Sequence, residues 1–143
     1  MKTQAKTLSW GTHSLSWWLT LTIALGISFI GIRYMIDPKP ASDGFGLPLP
    51  EDKTALYGSI KGIRDRFSGL VLLYLLWLKN ARITAYIFTV AIIIPITDCL
   101  VILSANGPGD TLHLWIHGGT AIYCVLISIL LFRENRSDLK IEH

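Results

Sequence analysis

Several ionisable side chains lie inside or beside long apolar stretches. If successive stretches run in opposite directions across a membrane, these side chains all fall near the same membrane face. Asp98 comes late in the third apolar stretch, and His113 and His117 come early in the fourth. Charged residues also close the first stretch and open the second: Arg33, Lys61, Arg64, Asp65 and Arg66. A histidine that a carboxylate orients can transfer a proton, and an arginine can stabilise an oxyanion. His117, Asp98 and Arg64 are therefore the candidate catalytic residues.

Helical spacing brings these side chains onto shared faces. The second apolar stretch carries four polar residues at i, i+3, i+4 and i+7, namely Lys61, Arg64, Asp65 and Ser68. His113 and His117 share a face of another helix at i and i+4. Ionisable groups inside a membrane are costly, so such faces mark a functional site by default.

Depth below the helix ends predicts that the polar faces meet. With a rise of ~1.5 Å per residue, Asp98, His117 and Arg64 lie about 8, 9 and 10 Å from the same end of the molecule. We therefore expect Asp98 to pair with Arg64 or His117, and Asp65 to pair with Arg33 or Lys61. Basic residues would outnumber acids, and a positive pocket attracts an anion or the polar head of a lipophilic molecule. The predicted ligand-binding residues are Arg33, Lys61, Arg64, Asp65 and His113.

Other interpretations of the same residues remain open. Buried charge pairs can serve only to fix the register of packed helices. Two histidines one turn apart beside an aspartate could bind a metal, but no further acid completes an H-E-x-x-H motif, so we predict no metal and no cofactor. Ser68 or Cys99 could act as a nucleophile, although no elbow motif supports either.

The elements that must position these residues are four long helices. Apolar runs, turn signals and the ~20 residues needed to cross a bilayer predict helices at about 15–36, 57–78, 83–103 and 111–132, followed by a polar tail, 133–143. A Pro/Gly-rich loop, residues 37–56, should fold over the helix ends. We predict a single all-α domain, 1–143, folded as an antiparallel four-helix transmembrane bundle.

Composition supports the membrane interpretation and excludes nucleic acid as a partner. Only 16% of the residues are charged, against about 25% in a typical soluble domain. The net charge of +3 is scattered rather than clustered. The two cysteines, Cys99 and Cys124, form no CxxC pair and indicate neither a disulfide relay nor a zinc site.

Orientation follows from basic residues in short loops. Charged residues embedded in the helices are left out of this count, because their positions are attributed to the polar cluster rather than to membrane topology. One side of the predicted bundle then holds Lys2, Lys6, Lys79, Arg82, Arg133, Arg136 and Lys140, and the other holds Lys39 and Lys53. This bias predicts an integral protein of the cell inner membrane with both termini in the cytoplasm.

Five short motifs also resemble a known family. They are Gly31-Ile32-Arg33-Tyr34, Gly44-Phe45-Gly46-Leu47-Pro48, Lys61-Gly62-Ile63-Arg64-Asp65, Pro95-Ile96-Thr97-Asp98 and His117-Gly118-Gly119-Thr120. With them the chain resembles, from Gly31 to Phe132, the small four-helix membrane proteins of bacteria and fungi catalogued as a domain of unknown function. The resemblance implies four spans and these polar motifs, and brings no reaction, ligand or partner.

The leading functional hypothesis is binding of a small amphiphilic or anionic molecule by the polar cluster in the non-cytoplasmic half. The alternative is a membrane-embedded acid–base isomerase or cyclase acting on a lipophilic substrate. A proton-coupled carrier and a purely structural role complete the set. The lipid bilayer is the expected partner, and the sequence leaves homo-oligomerisation open.

Overall fold

The structure, a computed structural model, describes the backbone of residues 10–141 and the side chains of residues 10–50 and 55–134. Six helices form within this range: α1 (Leu15–Ile36), α2 (Pro38–Phe45), α3 (Glu51–Leu78), α4 (Ala81–Ala91), α5 (Ile93–Asn106) and α6 (Thr111–Ile141). The described backbone contains no strand, which confirms the all-α prediction.

The helix boundaries follow local sequence signals. Pro38 occupies the first turn of α2, where its missing N–H costs nothing, and Gly46 ends α2 with a left-handed φ of 96°. The Asn80 side chain accepts a hydrogen bond from the Ile83 N–H at 3.0 Å and so caps α4. α4 and α5 are separated at Ile92, and Pro95 shortly afterwards cannot donate to the turn before it.

The segment predicted as a loop, residues 37–56, is partly helical. It contains α2, and α3 begins at Glu51 rather than near 57. Prolines are tolerated in a first helical turn, so Pro38 and Pro40 start α2 instead of preventing it. The extended part is only residues 47–50. We call residues 37–50 the capping segment, and the end of the molecule that it covers the capped end.

The last helix is also longer than the sequence indicated. The sequence placed a polar tail at 133–143, but α6 continues through Ile141. Residues 133–141 include no proline or glycine that would end the helix.

The helices pack as two groups. α3 packs along α1, and α4 and α5 pack against α6. The apolar core lies toward the end opposite the capped end, and its buried members include Leu72, Leu75, Leu76, Ala85, Phe88, Ile127 and Leu131. Glycine allows the close approach of α1 and α3, because a Cβ on Gly31 would lie 2.7 Å from the Arg66 nitrogen and the Gly62 oxygen.

Hydrogen bonds join α1 to α6 at two levels. The hydroxyls of Thr22 and Tyr123 are 2.9 Å apart. Nearer the opposite end, Ser16 donates to the Glu134 carboxylate at 2.7 Å, and Ser14 donates to its other oxygen. The seam between α1 and α6 is therefore held by polar contacts, which gain in worth when the alternative is hydrocarbon.

Within the part of the chain that the structure describes, three helical stretches are long and apolar enough to cross a membrane: Leu15–Ile36, Ala81–Asn106 and Thr111–Glu134. Large apolar side chains stand exposed on them, including Phe29 at 61%, Val90 at 73% and Trp115 at 75%. A soluble protein rarely exposes such an apolar surface. The chain is thus an integral membrane protein by the length and composition of these helices. α3 is not among the three stretches.

Candidate functional site

A cavity of about 300 Å³ lies at the capped end, between α3, α5 and the capping segment. Among the described residues, two basic and two acidic side chains line it, namely Lys61, Arg64, Asp65 and Asp98. Its other lining residues are Tyr34, Ser42, Phe45, Leu47, Leu49, Tyr57, Ile60, Ser68, Ile94 and Val101. The formal charge of the lining is therefore balanced, whereas the sequence predicted an excess of positive charge.

Lys61 is held in place by three neighbours. Its ammonium lies 3.1 Å from an Asp65 carboxylate oxygen. It also stands over the rings of Tyr34 and Phe45, at 5.1 and 4.6 Å from their centres. Lys61 and Asp65 are one helical turn apart on α3, so this pair is the one that the sequence spacing allowed. Aromatic faces add a favourable cation–π contribution.

Arg64 and Asp98 face the same cavity without a partner in the described part of the chain. Within residues 10–50 and 55–134, no ion pair or side-chain hydrogen bond joins either charged group to another residue. The predicted pairs of Asp98 with Arg64 and with His117 do not form. Arg64 projects from α3 and Asp98 from α5, and these two helices have few contacts within the described residues.

His117 is buried behind the cavity wall and does not line the cavity. Its Nε2 donates to the Phe45 carbonyl oxygen at 2.9 Å, and the two rings lie 4.5 Å apart. A nitrogen that donates to a carbonyl cannot accept a proton, so in this arrangement Nε2 is no base. His117 instead fastens the capping segment to α6.

His113 belongs to a second anchor of the capping segment. Its Nδ1 lies 2.7 and 2.9 Å from the two oxygens of Asp110. Asn106 donates to both Asp110, at 2.6 Å, and the Gly46 carbonyl oxygen, at 2.8 Å. Hydrogen bonds from Asn106, and next from His113, lower the pKa of the Asp110 carboxyl group from its ordinary value. The charged form of Asp110 is therefore part of this anchor.

Gly46 fits tightly between the two anchors. Its φ of 96° is in the left-handed region, which side chains rarely adopt. A Cβ there would also lie 2.7 Å from the His113 ring and 3.0 Å from Ile102. Both the conformation and the space call for glycine, so the capping segment sits directly on α5 and α6.

The structure thus brings together four of the residues selected from the sequence: Lys61, Arg64, Asp65 and Asp98. Arg33 is exposed and outside the lining, His117 holds the capping segment from outside, and His113 binds Asp110 beside the Asn106 anchor. Sequence reasoning missed Tyr34, Phe45 and Tyr57, which supply the aromatic part of the lining. Tyr34 had a signal in the sequence, because it follows Arg33 near the end of a helix, where amphipathic rings are common.

Within the described residues, no group of three or more His, Cys, Asp or Glu side chains could hold a metal ion. The Cys99 sulfur lies 3.9 Å from the Leu114 carbonyl oxygen, and Cys124 is buried.

Comparison with known proteins places the chain in a family. The chain matches no curated protein and no solved structure. The model of a family described as a domain of unknown function, DUF4267, matches residues 24–131. This range includes every residue that lines the cavity, and it confirms the resemblance found in the sequence motifs. The chain therefore belongs to the DUF4267 family.

Proposed function

We propose that the cavity at the capped end binds a small amphiphilic or anionic molecule from the membrane. The observation that carries this proposal is the cavity of about 300 Å³, which is lined by an Arg64 that forms no ion pair with any other described residue. Ligand sites are commonly concave and mostly apolar, with a few polar groups that fix orientation. Arginine suits such a role because its planar donors match a carboxylate or phosphate.

The surroundings of the cavity favour binding over passage. On one side the capping segment is held by His117 and Asn106. On the other side the apolar core of Leu72, Phe88 and Ile127 fills the space between the helices. A carrier needs a polar route on both sides of its site, and the buried core provides none.

We further propose that α3 is a fourth span, which makes the molecule an antiparallel four-helix bundle in the cell inner membrane with cytoplasmic termini. α3 packs along α1, and a turn at Lys79 and Asn80 leads directly into α4. The second half of α3 exposes Phe67, Tyr74 and Trp77 to the surroundings at 67%, 59% and 72%. Its first half carries the cavity charges, which explains its lower hydropathy.

An acid–base isomerase or cyclase receives less support. That hypothesis required His117 as the base, and the hydrogen bond from Nε2 to Phe45 turns the ring away from the lining. Asp98 and Arg64 do face the cavity, but a carboxylate and a guanidinium alone do not complete the proposed acid–base set.

Binding can be tested with radiolabelled dodecyl phosphate and the protein immobilised in neutral maltoside micelles. We expect saturable binding that Arg64→Gln weakens about tenfold or more, since hydrogen bonds to charged groups contribute about 1.5–3 kcal/mol. Arg33→Gln, which removes a charge from an exposed side chain outside the cavity, should leave binding unchanged. Equal, non-saturable uptake by all three proteins would overturn the proposal.

A further inference from the structure

The four charges in the cavity are not equivalent. Lys61 and Asp65 neutralise one another at 3.1 Å. Arg64, which is exposed, and Asp98, which is half-buried and is attracted electrostatically by Lys61 and His117, form no ion pair within the described residues, and they line the cavity from α3 and α5. A charge at the edge of a membrane site that has no ion pair within the protein gains from a ligand that pairs with it. The cavity therefore offers one unpaired cation and one unpaired anion to a ligand.

A shallow groove continues from the cavity along α3. It is lined by Ile63, Arg64, Phe67 and Ser68, and it shares Arg64 and Ser68 with the cavity. Ile63 and Phe67 are 56% and 67% exposed, and they would face lipid if α3 crosses the membrane as proposed. Arg64 thus lies where a polar cavity meets an apolar groove.

The mouth of the cavity lies between α3 and α5. Ile60 on α3 and Ile94 and Val101 on α5 line the cavity and are also 59%, 42% and 43% exposed. Lining residues that are exposed as well mark an edge that opens sideways, toward the acyl chains.

We infer that the ligand is a zwitterionic amphiphile, whose anionic group binds Arg64, whose cationic group faces Asp98 and whose chain lies in the Ile63–Phe67 groove. This inference rests on the proposed function and names the ligand class of the same site. A phosphate ester joined to an ammonium group has this chemistry. An anionic head would leave Asp98 unpaired, and a cationic head would leave Arg64 unpaired, so neither satisfies both walls of the cavity.

The test compares head groups on one chain. Native mass spectrometry of the protein in maltoside micelles would measure the binding of dodecylphosphocholine, dodecyl phosphate and dodecyltrimethylammonium at equal mole fractions. We expect the zwitterion to bind about tenfold more tightly than either singly charged probe. In Asp98→Asn, dodecylphosphocholine should bind no more tightly than dodecyl phosphate. In Arg64→Gln, it should bind no more tightly than dodecyltrimethylammonium. Asp43→Asn, on the exposed face of α2, is the matched control and should change neither ratio.

The contribution of the chain needs separate probes. Phosphocholine without a chain should compete poorly. Phe67→Ala should weaken the binding of dodecylphosphocholine, whereas Trp115→Ala, at an aromatic residue on α6 that is exposed to a similar extent, should not. Equal competition by chainless phosphocholine would overturn the assignment of an amphiphile. If dodecyl phosphate binds as tightly as the zwitterion and Asp98→Asn has no effect, the zwitterion is wrong while the proposed function stands. If no probe saturates, the proposed function itself fails.

Discussion

Lys61 and Arg64 lie one helical turn apart on α3 and differ in what surrounds them. Lys61 is paired with Asp65 and stacked on two rings, whereas Arg64 has no partner among the described residues. A paired charge has already recovered part of its desolvation cost, so it gains less from a ligand. On the proposed function, this difference leaves Lys61 as part of the cavity wall and Arg64 as the residue that binds the ligand.

Acid should loosen the capping segment through Asp110. The hydrogen bonds from Asn106 and His113 hold its folded-state pKa below the unfolded-state value of about 4. This stabilisation is present above the unfolded-state pKa and is lost as the pH falls through the folded-state pKa. We therefore expect the thermal midpoint in neutral detergent to fall more steeply below about pH 4 for the parent than for Asp110→Asn.

Tryptophan fluorescence during heating would measure this midpoint. Asp43→Asn, which removes an exposed acid from α2, should follow the parent profile. Parallel profiles for the parent and Asp110→Asn would show that the anchor carries no charge-dependent stability.

At the residue scale, sequence spacing predicted how far along each helix a residue lies, but not toward which neighbour its side chain points. The Lys61–Asp65 pair followed from i, i+4 spacing, which is a local property. Arg33 and Tyr34 are adjacent, and about 100° of helical rotation puts Tyr34 in the lining while Arg33 stays exposed. The Phe45 carbonyl that holds His117 is 72 residues away in the chain, so no local pattern could indicate it.

At the scale of elements, the contact between α1 and α3 depends on glycine. Gly31→Ala would place a methyl group 2.7 Å from backbone atoms of Gly62 and Arg66, which cannot move as a side chain can. We expect a loss of about 1–3 kcal/mol in the free energy of unfolding, as for other overpacked sites. Gly26→Ala, in the same helix, meets nothing within 4 Å and should be neutral or stabilising.

Unfolding in mixed micelles by increasing fractions of a denaturing detergent would give the two free energies. Identical unfolding curves for Gly31→Ala and Gly26→Ala would mean that α1 and α3 can move apart to accommodate the methyl group at position 31 without loss of stability.

Element boundaries were predictable where an apolar run and its end signals coincide. The bounds of α1, Leu15–Ile36, are those expected from its apolar run. α2 was not predicted, because prolines generally indicate turns, whereas prolines at the first positions of a helix are compatible with it. The start of α3 at Glu51 was not predicted, because the apolar run marks only the second half of that helix.

At the scale of the whole molecule, a fourth span at α3 fixes which surfaces share a side of the membrane. With both native cysteines replaced by alanine, single cysteines at the exposed positions Thr12, Pro48, Arg82 and Pro108 would report the side. We expect Thr12→Cys and Arg82→Cys to react with an impermeant maleimide from the cytoplasm, because chain direction reverses at each span. Pro48→Cys and Pro108→Cys should react from outside.

Intact cells and inverted vesicles give the two directions of labelling, and detergent-solubilised protein gives the maximum for each cysteine. Labelling of Pro48→Cys and Arg82→Cys from the same side would show that α3 does not cross.

The hydrogen-bonded seam between α1 and α6 has a mechanical consequence. Thr22 with Tyr123, and Ser16 with Glu134, tie one helix group to the other along this line. The far side, where α3 and α5 flank the cavity, has few direct contacts among the described residues. A rotation of the two groups about the seam would therefore change the width of the mouth more than any other dimension. Lateral pressure from tightly packed acyl chains would narrow it, so ligand exchange should slow in ordered lipid and quicken in fluid lipid.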